Sequence, residues 1–387
     1  MFQDKYVFVQ LTAFLNRTQF NNYVRKYDGN RYVKHFTCWN QLLAMMFGQL
    51  SYRESLRDLI VALEAHRATQ YHLGLGRNTI VKATLAYANQ TRDYRIFEDF
   101  AFYMMKEACK KRETNILNIP GKKYAFDSTT IPLCLATFPW AKFRSKKGGV
   151  KAHVLYDVEA QVPAFYTVTT ASKHDSTAMS SITYEPNSYY IFDRAYDTFK
   201  ELYKIHLTGS YYVVRSKTNL KYKMVKWKRR MPMNVLTDAE VKLTGYLSEK
   251  KYPESFRFIR YYDEEDDCEF TFLTNAKHLS ALDVANLYKK RWLVELFFKW
   301  LKQHLKIKRF WGTTKNAVRI QISVAIITYC LVAIVHHDMQ LKRSTYEVLQ
   351  ILSISLTDKT RLRDLFDKTI FNDVKELDYP LFKGLFD

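Results

Sequence analysis

The chain has 387 residues, enough for two or three compact units, and 47% of it is apolar, enough to fill real cores. With only 11 Gly and 8 Pro, no Ser/Gln runs and no internal repeat, a collagenous, low-complexity or largely disordered chain is excluded. Sixty Lys and Arg against 39 Asp and Glu leave a net charge of +21, which points to a polyanionic partner and favours nucleic acid.

The excess is not uniform: residues 1–115 carry 17 basic and 10 acidic side chains, 116–339 carry 35 and 21, and 340–387 carry 8 of each. The 28 Tyr, 26 Phe and 6 Trp exceed what a short histone-like binder holds and suit an enzyme acting on DNA or RNA. Five cysteines, odd in number and widely separated, show no zinc spacing and read as core thiols in a reducing cytosol. The N-terminus lacks a signal-peptide pattern, and the longest uncharged apolar stretch, 322–335, is 14 residues, too short to span a membrane.

Residues 1–115 read as helical. Ser51-Tyr-Arg-Glu54 forms a capping box that starts a helix bearing Leu56, Leu59, Ile60 and Leu63 on one face. After the Gly74-Leu-Gly76 break, Asn78 is placed to cap a second short helix over 79–88, with Arg77, Asn78 and Lys82 near its start. This outline fits a groove-entering helix and an ordinary helical hairpin equally well.

From Lys122 the period changes to strands rich in Tyr, Val, Phe and Thr: KYAFDSTTI, GVKAHVLYDV, VPAFYTVTT, SYYIFD and SYYVVRS, with a helix over 198–207 between the last two. This predicts a mixed α/β domain. Residues 216–280 interrupt it with a basic stretch (KTNLKYKMVKWKRR) and a hairpin around an acidic turn, predicting an all-β insertion. Helices are expected again over 282–305 and 318–336, and residues 341–387 read as a neutral, amphipathic helical tail.

Asp127 and Asp193 occupy matching positions in apolar strands (YAFD and YIFD), where a lone charge seldom sits without a partner. Each alone fits a turn or cap; together they ask for a shared cation, which two carboxylates hold poorly without a third. The helix NLYKKRWLVELFFKWLKQHL supplies one, since Tyr288, Arg291, Glu295 and Lys302 fall on one face at 100° per residue. Leu293, Leu296, Phe297 and Leu301 supply its apolar face.

With these residues in view, the chain resembles the DDE-type insertion-sequence transposases of the cut-and-paste subgroup marked by a Tyr-x2-Arg-x3-Glu-x6-Lys signature. The signature stands here as Tyr288, Arg291, Glu295 and Lys302, beside Asp-Ser-Thr at Asp127 and Asp-Arg-Ala-Tyr at Asp193. Ala195 replaces the family's usual Gly, a change that removes no ligand.

The resemblance implies a ribonuclease-H-like α/β catalytic domain over 116–215 and 281–339, split by the β-rich insertion at 216–280. An all-α DNA-binding domain over 1–115 and a helical C-terminal segment over 340–387 flank it. Asp127, Asp193 and Glu295 would be catalytic and would hold two Mg²⁺ ions, with Mn²⁺ able to substitute, while Tyr288, Arg291 and Lys302 would contact DNA. The implied partners are double-stranded DNA, both terminal inverted repeats and target, and a second copy of the chain on paired ends. No membrane partner is implied, and the expected location is the bacterial cytoplasm. In that subgroup an aromatic residue of the insertion holds a flipped base; Trp227, between Lys226 and Lys228, is the candidate, the other reading being a Trp that packs a hairpin. Basic residues at 144–151 and 299–309 fit phosphate positioning. The rival reading is a catalytically inactive, sequence-specific DNA-binding protein derived from such an enzyme.

Overall fold

The computed structural model describes residues 5–367, apart from positions 113, 115–116, 145–146, 218, 266 and 305–308. The N-terminal region is helical, with α1 (Val7–Thr12), α2 (Arg17–Lys26), α3 (Cys38–Leu50), α4 (Leu56–Ala65), α5 (Lys82–Thr91) and α6 (Arg95–Lys111). Two helix starts differ from the sequence reading. Ser51 closes α3 by donating to the Phe47 carbonyl at 2.7 Å, and α4 is capped instead by Ser55, which accepts from the Asp58 amide at 3.1 Å. The second helix begins at Lys82, because the buried Gln70 amide donates to the carbonyls of Gly76 (3.2 Å) and Asn78 (2.7 Å) and keeps that segment out of the helix.

Ten strands among the described residues form one mixed sheet. They are β1 (Lys123–Leu133), β2 (Lys142–Arg144), β3 (Lys147–Asp157), β4 (Val162–Thr170), β5 (Tyr189–Phe192), β6 (Tyr211–Arg215), β7 (Tyr222–Trp227), β8 (Val235–Leu243), β9 (Phe256–Asp263) and β10 (Cys268–Thr274). Their order is β2-β3-β1-β5-β6-β10-β9-β8-β7, with β4 also paired to β3. β5 runs parallel to both β1 and β6, which requires crossovers, and α7 (Asp175–Ala178) and α8 (Phe199–Leu207) lie in those connections. The segment 216–280 extends this same sheet, because β10 pairs antiparallel with β6, and it includes a short helix, α9 (Tyr246–Lys251), so it is not purely β.

Strand alternation sorts the apolar side chains into two cores. Ala125, Ile191 and Val213 join one that includes the N-terminal helices; Phe126, Phe192 and Val214 join the other, with Leu202 and Ile205 of α8. After β10 come α10 (Ala281–Lys289), α11 (Trp292–His304), α12 (Lys315–Asp338), α13 (Thr345–Ser355) and α14 (Leu362–Phe366). α12 is long and apolar enough to cross a membrane by length and composition, but 94% of its apolar window is buried in protein. It packs on α1, α3, α5, α6 and α13, and on β4 and α11. The expected helical tail is present as α13 and α14; its remainder, 368–387, lies outside the described residues. Cys38 and Cys330 are buried, but Cys134 is exposed, so the core-thiol reading does not extend to the whole set.

Candidate active site

β1 and β5 are parallel and in register, Phe126 beside Phe192, so Asp127 and Asp193 follow abreast on neighbouring strands. Asp193 stands just past the end of β5, still extended at φ −76° and ψ 166°, and opens a tight turn over Arg194–Tyr196 that accommodates Ala195. Because Phe126 and Phe192 point into the second core, alternation turns both carboxylates to the opposite face, where α11 packs through Val294 and Phe297.

The third acid arrives by a route that the sequence reading missed. The helix expected over 282–305 is broken: α10 ends at Lys289, Arg291 lies in the bend, and α11 starts at Trp292. The Arg291 amide donates to Tyr288 at 2.9 Å and the Val294 amide to Arg291 at 3.1 Å, contacts three residues apart that tighten the chain. α10 packs on β6 and β8, whereas α11 packs on β1 and β3, and one straight helix cannot follow both parts of a twisted sheet. Leu296, expected on the apolar face, is exposed, whereas Phe297 and Leu301 are buried as expected and are joined by Val294 and Phe298.

The bend places Tyr288 and Arg291 against the acids. Arg291 bonds Asp127 Oδ2 through Nη1 at 2.7 Å and Glu295 Oε1 through Nη2 at 2.5 Å. Its Nε is buried and makes no hydrogen bond among the described residues. The Tyr288 hydroxyl donates to Asp193 Oδ1 at 3.4 Å, and its burial pushes its own pKa up to about 12. Burial raises the Asp127 carboxyl to about 6; Arg291 and the Ser128 amide, 2.7 Å away, oppose the rise, and Glu295 and Asp193 add to it. Two of the three signature residues expected on DNA are thus bonded to the acids, and they meet each other where the Arg291 guanidinium lies 5.8 Å from the Tyr288 ring centre.

Asp127, Glu295, Lys299 and Lys302 line a hollow of about 410 Å³, which leaves room for a phosphate-sized group beside the carboxylates. Behind it lies a second cluster, built on Asp175 at the start of α7. Asp175 accepts from Ser128 at 2.7 Å and from Lys151 at 3.0 Å, with the buried His153 ring 3.9 Å away. Burial alone would raise the Asp175 carboxyl, but the Ser128 and Lys151 bonds outweigh it and hold the group below its usual range. Burial likewise lowers His153 to about 4. Lys151, expected at phosphate, is therefore committed inward; pairing of β1 with β3, which sets Ser128 opposite His153, is the signal that could have shown it. Positions 145–146 and 305–308 of the expected basic clusters lie outside the described residues. Trp227, on the edge strand β7, is 62% exposed and does not pack a hairpin.

The donor set suits a hard divalent ion, being all carboxylate oxygen, and a cationic guanidinium already sits between two of its members. Among the described residues no three acidic, His or Cys side chains are gathered closely enough to form a ready cage, so Arg291 would have to withdraw for the acids to share a cation.

Asp127 within β1, Asp193 just past the parallel strand β5 and Glu295 on α11 make an all-carboxylate set, suited to metal-assisted phosphoryl transfer rather than to a nucleophile–base triad. Comparison with known proteins agrees: residues 120–331 match the Transposase DDE domain, and the chain belongs to that family, whose members generally use divalent metal ions. Residues 3–76 match a domain of unknown function. The chain is 34% identical over 245 residues to a protein of Sinorhizobium fredii named as the transposase y4zB, covering 62% of this chain and 67% of that one. It is 29% identical over 246 residues to a Geobacillus stearothermophilus protein named as the transposase of insertion sequence element IS5377, covering 63% and 64%. Among solved structures, a piggyBac transposase synaptic complex with hairpin DNA aligns over 94% of this chain and 82% of that one, at 12% identity and a TM-score of 0.49.

Proposed function

We propose that the protein is a cut-and-paste DNA transposase of the Tyr-Arg-Glu-Lys subgroup, with a ribonuclease-H-like catalytic unit into whose chain the 216–280 segment is inserted. It would bind terminal inverted repeats, cleave at their boundary and join the ends to target DNA, acting as a homodimer on paired ends. The observation that carries this reading is the pair of contacts Asp193–Tyr288 and Asp127–Arg291–Glu295, which bring the acids together with two signature residues, beside a hollow lined by Asp127, Glu295 and the third, Lys302.

Asp127, Asp193 and Glu295 would hold two Mg²⁺ ions, or Mn²⁺ in their place. When bound, such ions activate a water or 3′-hydroxyl and stabilise the leaving oxygen of an in-line displacement. The chain's own part is to bind and orient. Strand register fixes the two aspartates and α11 brings Glu295 over them. Released from its acids, Arg291 presents a planar fork suited to a phosphate, and Lys302 and Lys299 add positive charge along the same hollow. No Ser or Cys nucleophile is needed, because the attacking oxygen belongs to water or DNA. Exposed Trp227 offers a free ring face on which an unstacked base could rest.

The test is cleavage of a labelled duplex bordering the gene, with Mg²⁺ present or withheld and Asp193→Asn in parallel. Metal-dependent cutting at the repeat boundary, lost in the variant, is expected. Binding without cutting by wild type and variant alike, with paired ends available, would favour the inactive DNA-binding reading.

A further inference from the structure

The segment matching the domain of unknown function, continued through 77–80 and α5, carries a surface that would locate the DNA contact expected of residues 1–115. Two adjoining hollows of about 1000 and 720 Å³ share Asp28 and Arg31 as a common wall. One rim is the 27–36 loop and the other is the 75–80 segment continued by α5. Arg17 and Arg25 line the smaller hollow, Lys34, Arg77 and Arg92 the larger, and Arg31 both; Arg92 is turned inward onto Gln41. Against these six cations the lining offers two acids, Asp28 and Asp93, and Asp93 is already bonded to Arg95 at 2.6 Å.

The rims are built, not loose. The Gly29 amide bonds the Val24 carbonyl at 2.9 Å, and the Asn30 side chain accepts from the Cys38 amide at 2.8 Å. A Cβ on Gly29 would meet the side chains of Ile96 and Cys38 at 2.3 and 2.8 Å, so the loop is pressed onto α6 and α3. Opposite it, Gln70 pins the 76–78 carbonyls. Guanidinium planes are oriented in advance: Arg31 lies 5.0 Å from the Tyr32 ring, Arg77 4.9 Å from Tyr71 and Arg17 5.4 Å from Trp39.

Two aromatic rings face water across the trough. Tyr32 is 88% exposed at φ +58°, a left-handed backbone that a bulky residue adopts only at a cost, and Tyr87 of α5 is 68% exposed. Apolar rings left in water between oriented cations suit a ligand that offers phosphates and flat sugar or base surfaces together. An acidic protein would use the charges and leave the rings idle.

We propose that this trough, walled by the 27–36 loop and the 75–80 segment, is a duplex-DNA site in which Arg31, Lys34 and Arg77 take phosphates and Tyr32 and Tyr87 contact sugar or base edges. The choice of duplex rests on the transposase reading. The site differs from a helix entering a groove by its N-terminus, because Tyr87 lies in the middle of α5 and half the wall is a loop.

The test uses the full chain and fluorescence anisotropy with a duplex from the gene's border, a random duplex of equal length, single-stranded RNA and polyglutamate, across a range of salt. Arg31→Gln/Lys34→Gln/Arg77→Gln should flatten the plot of log affinity against log salt by about 2 to 3, since each phosphate contact contributes about 0.9. Lys204→Gln/Lys250→Gln, remote and exposed, should leave the slope unchanged. Tyr32→Ala/Tyr87→Ala should narrow the preference for border over random duplex at unchanged slope. Unaltered melting temperatures confirm that each variant is folded. If wild type cleaves border DNA but the triple variant keeps its salt slope, the trough is wrong and the transposase reading stands. If wild type binds RNA or polyglutamate in preference to duplex, the trough proposal fails by its ligand, and if it neither binds nor cuts duplex, both readings fail.

Discussion

Arg291→Gln tests the central network directly. The guanidinium is 14% exposed and bonds Asp127, 18% exposed, and Glu295, 32% exposed. Removing one partner of a fully buried pair costs about 3–5 kcal/mol; water reaching Glu295 reduces this to about 2–3 kcal/mol. At about 2.1 cal/mol/K per residue, a 387-residue chain unfolds with an entropy of about 0.8 kcal/mol/K, so the variant should melt about 3 °C lower in chelator. Added Mn²⁺ should then stabilise the variant more than the wild type, because in the wild type the ion must first displace the guanidinium. Scanning calorimetry in EDTA and in a Mn²⁺ series reads both effects. A variant that melts like wild type in EDTA, or a wild type that gains as much from Mn²⁺, would refute the argument that Arg291 occupies the place of a cation.

Three further outcomes are expected. Arg257 holds Asp238 through two bonds of 2.7 Å, both side chains buried; burial alone would raise this carboxyl, but Arg257 and Lys228 outweigh it and keep it below its usual range. The pair's stabilisation is therefore complete above the unfolded aspartate pKa of about 4 and is lost as pH falls through the lower folded value, so melting curves at pH 7 to 2.5 should fall more steeply for wild type than for Asp238→Asn. Gly121, at φ +92°, leads into β1, and a Cβ there would lie 2.0 Å from the Asn187 carbonyl oxygen, so Gly121→Ala should cost more than about 1 kcal/mol by urea denaturation. Trp227→Ala should change stability by less than about 0.5 kcal/mol, since the ring is mostly in water, while lowering DNA-end processing in the cleavage assay.

Much of this architecture was legible because strand alternation is a local signal. The repeated YAFD and YIFD patterns located both aspartates, and the parallel register then set them abreast. The i, i+4 spacing of Arg291 and Glu295 likewise survives as a bonded pair. What escaped depends on distant partners. The bend at Arg291 follows from two helices packing on different parts of a twisted sheet, which no helical periodicity records. Gln70 delays α5 by bonding carbonyls six and eight residues ahead, so that Asn78, a good cap by composition, caps nothing. Lys151 reads in the sequence as a charge for phosphate and Asp175 as one acid among many, and only the seating of the start of α7 beside β1 and β3 joins both to Ser128 in one cluster.

The long buried helix α12 bears on how such a protein could change its target. Asn316 bonds the carbonyls of Asn89 and Arg92 at 3.0 and 2.6 Å, and Gln49 reaches the Gln321 carbonyl and the Thr328 hydroxyl at 3.2 Å each. Near the first and last described residues, the Val7 and Phe8 amides bond the carbonyls of Asp358 and Leu356. The helices that precede the sheet are therefore not a detachable cassette. A helical segment transplanted from a relative would arrive with the wrong surface for α12 and leave apolar rings and unpaired amides at the seam. On the trough proposal, new sequence preference is more accessible through changes on the outer loops, where Tyr32 and Arg77 face water, than through exchange of whole segments, and lineages of this architecture should diversify there first.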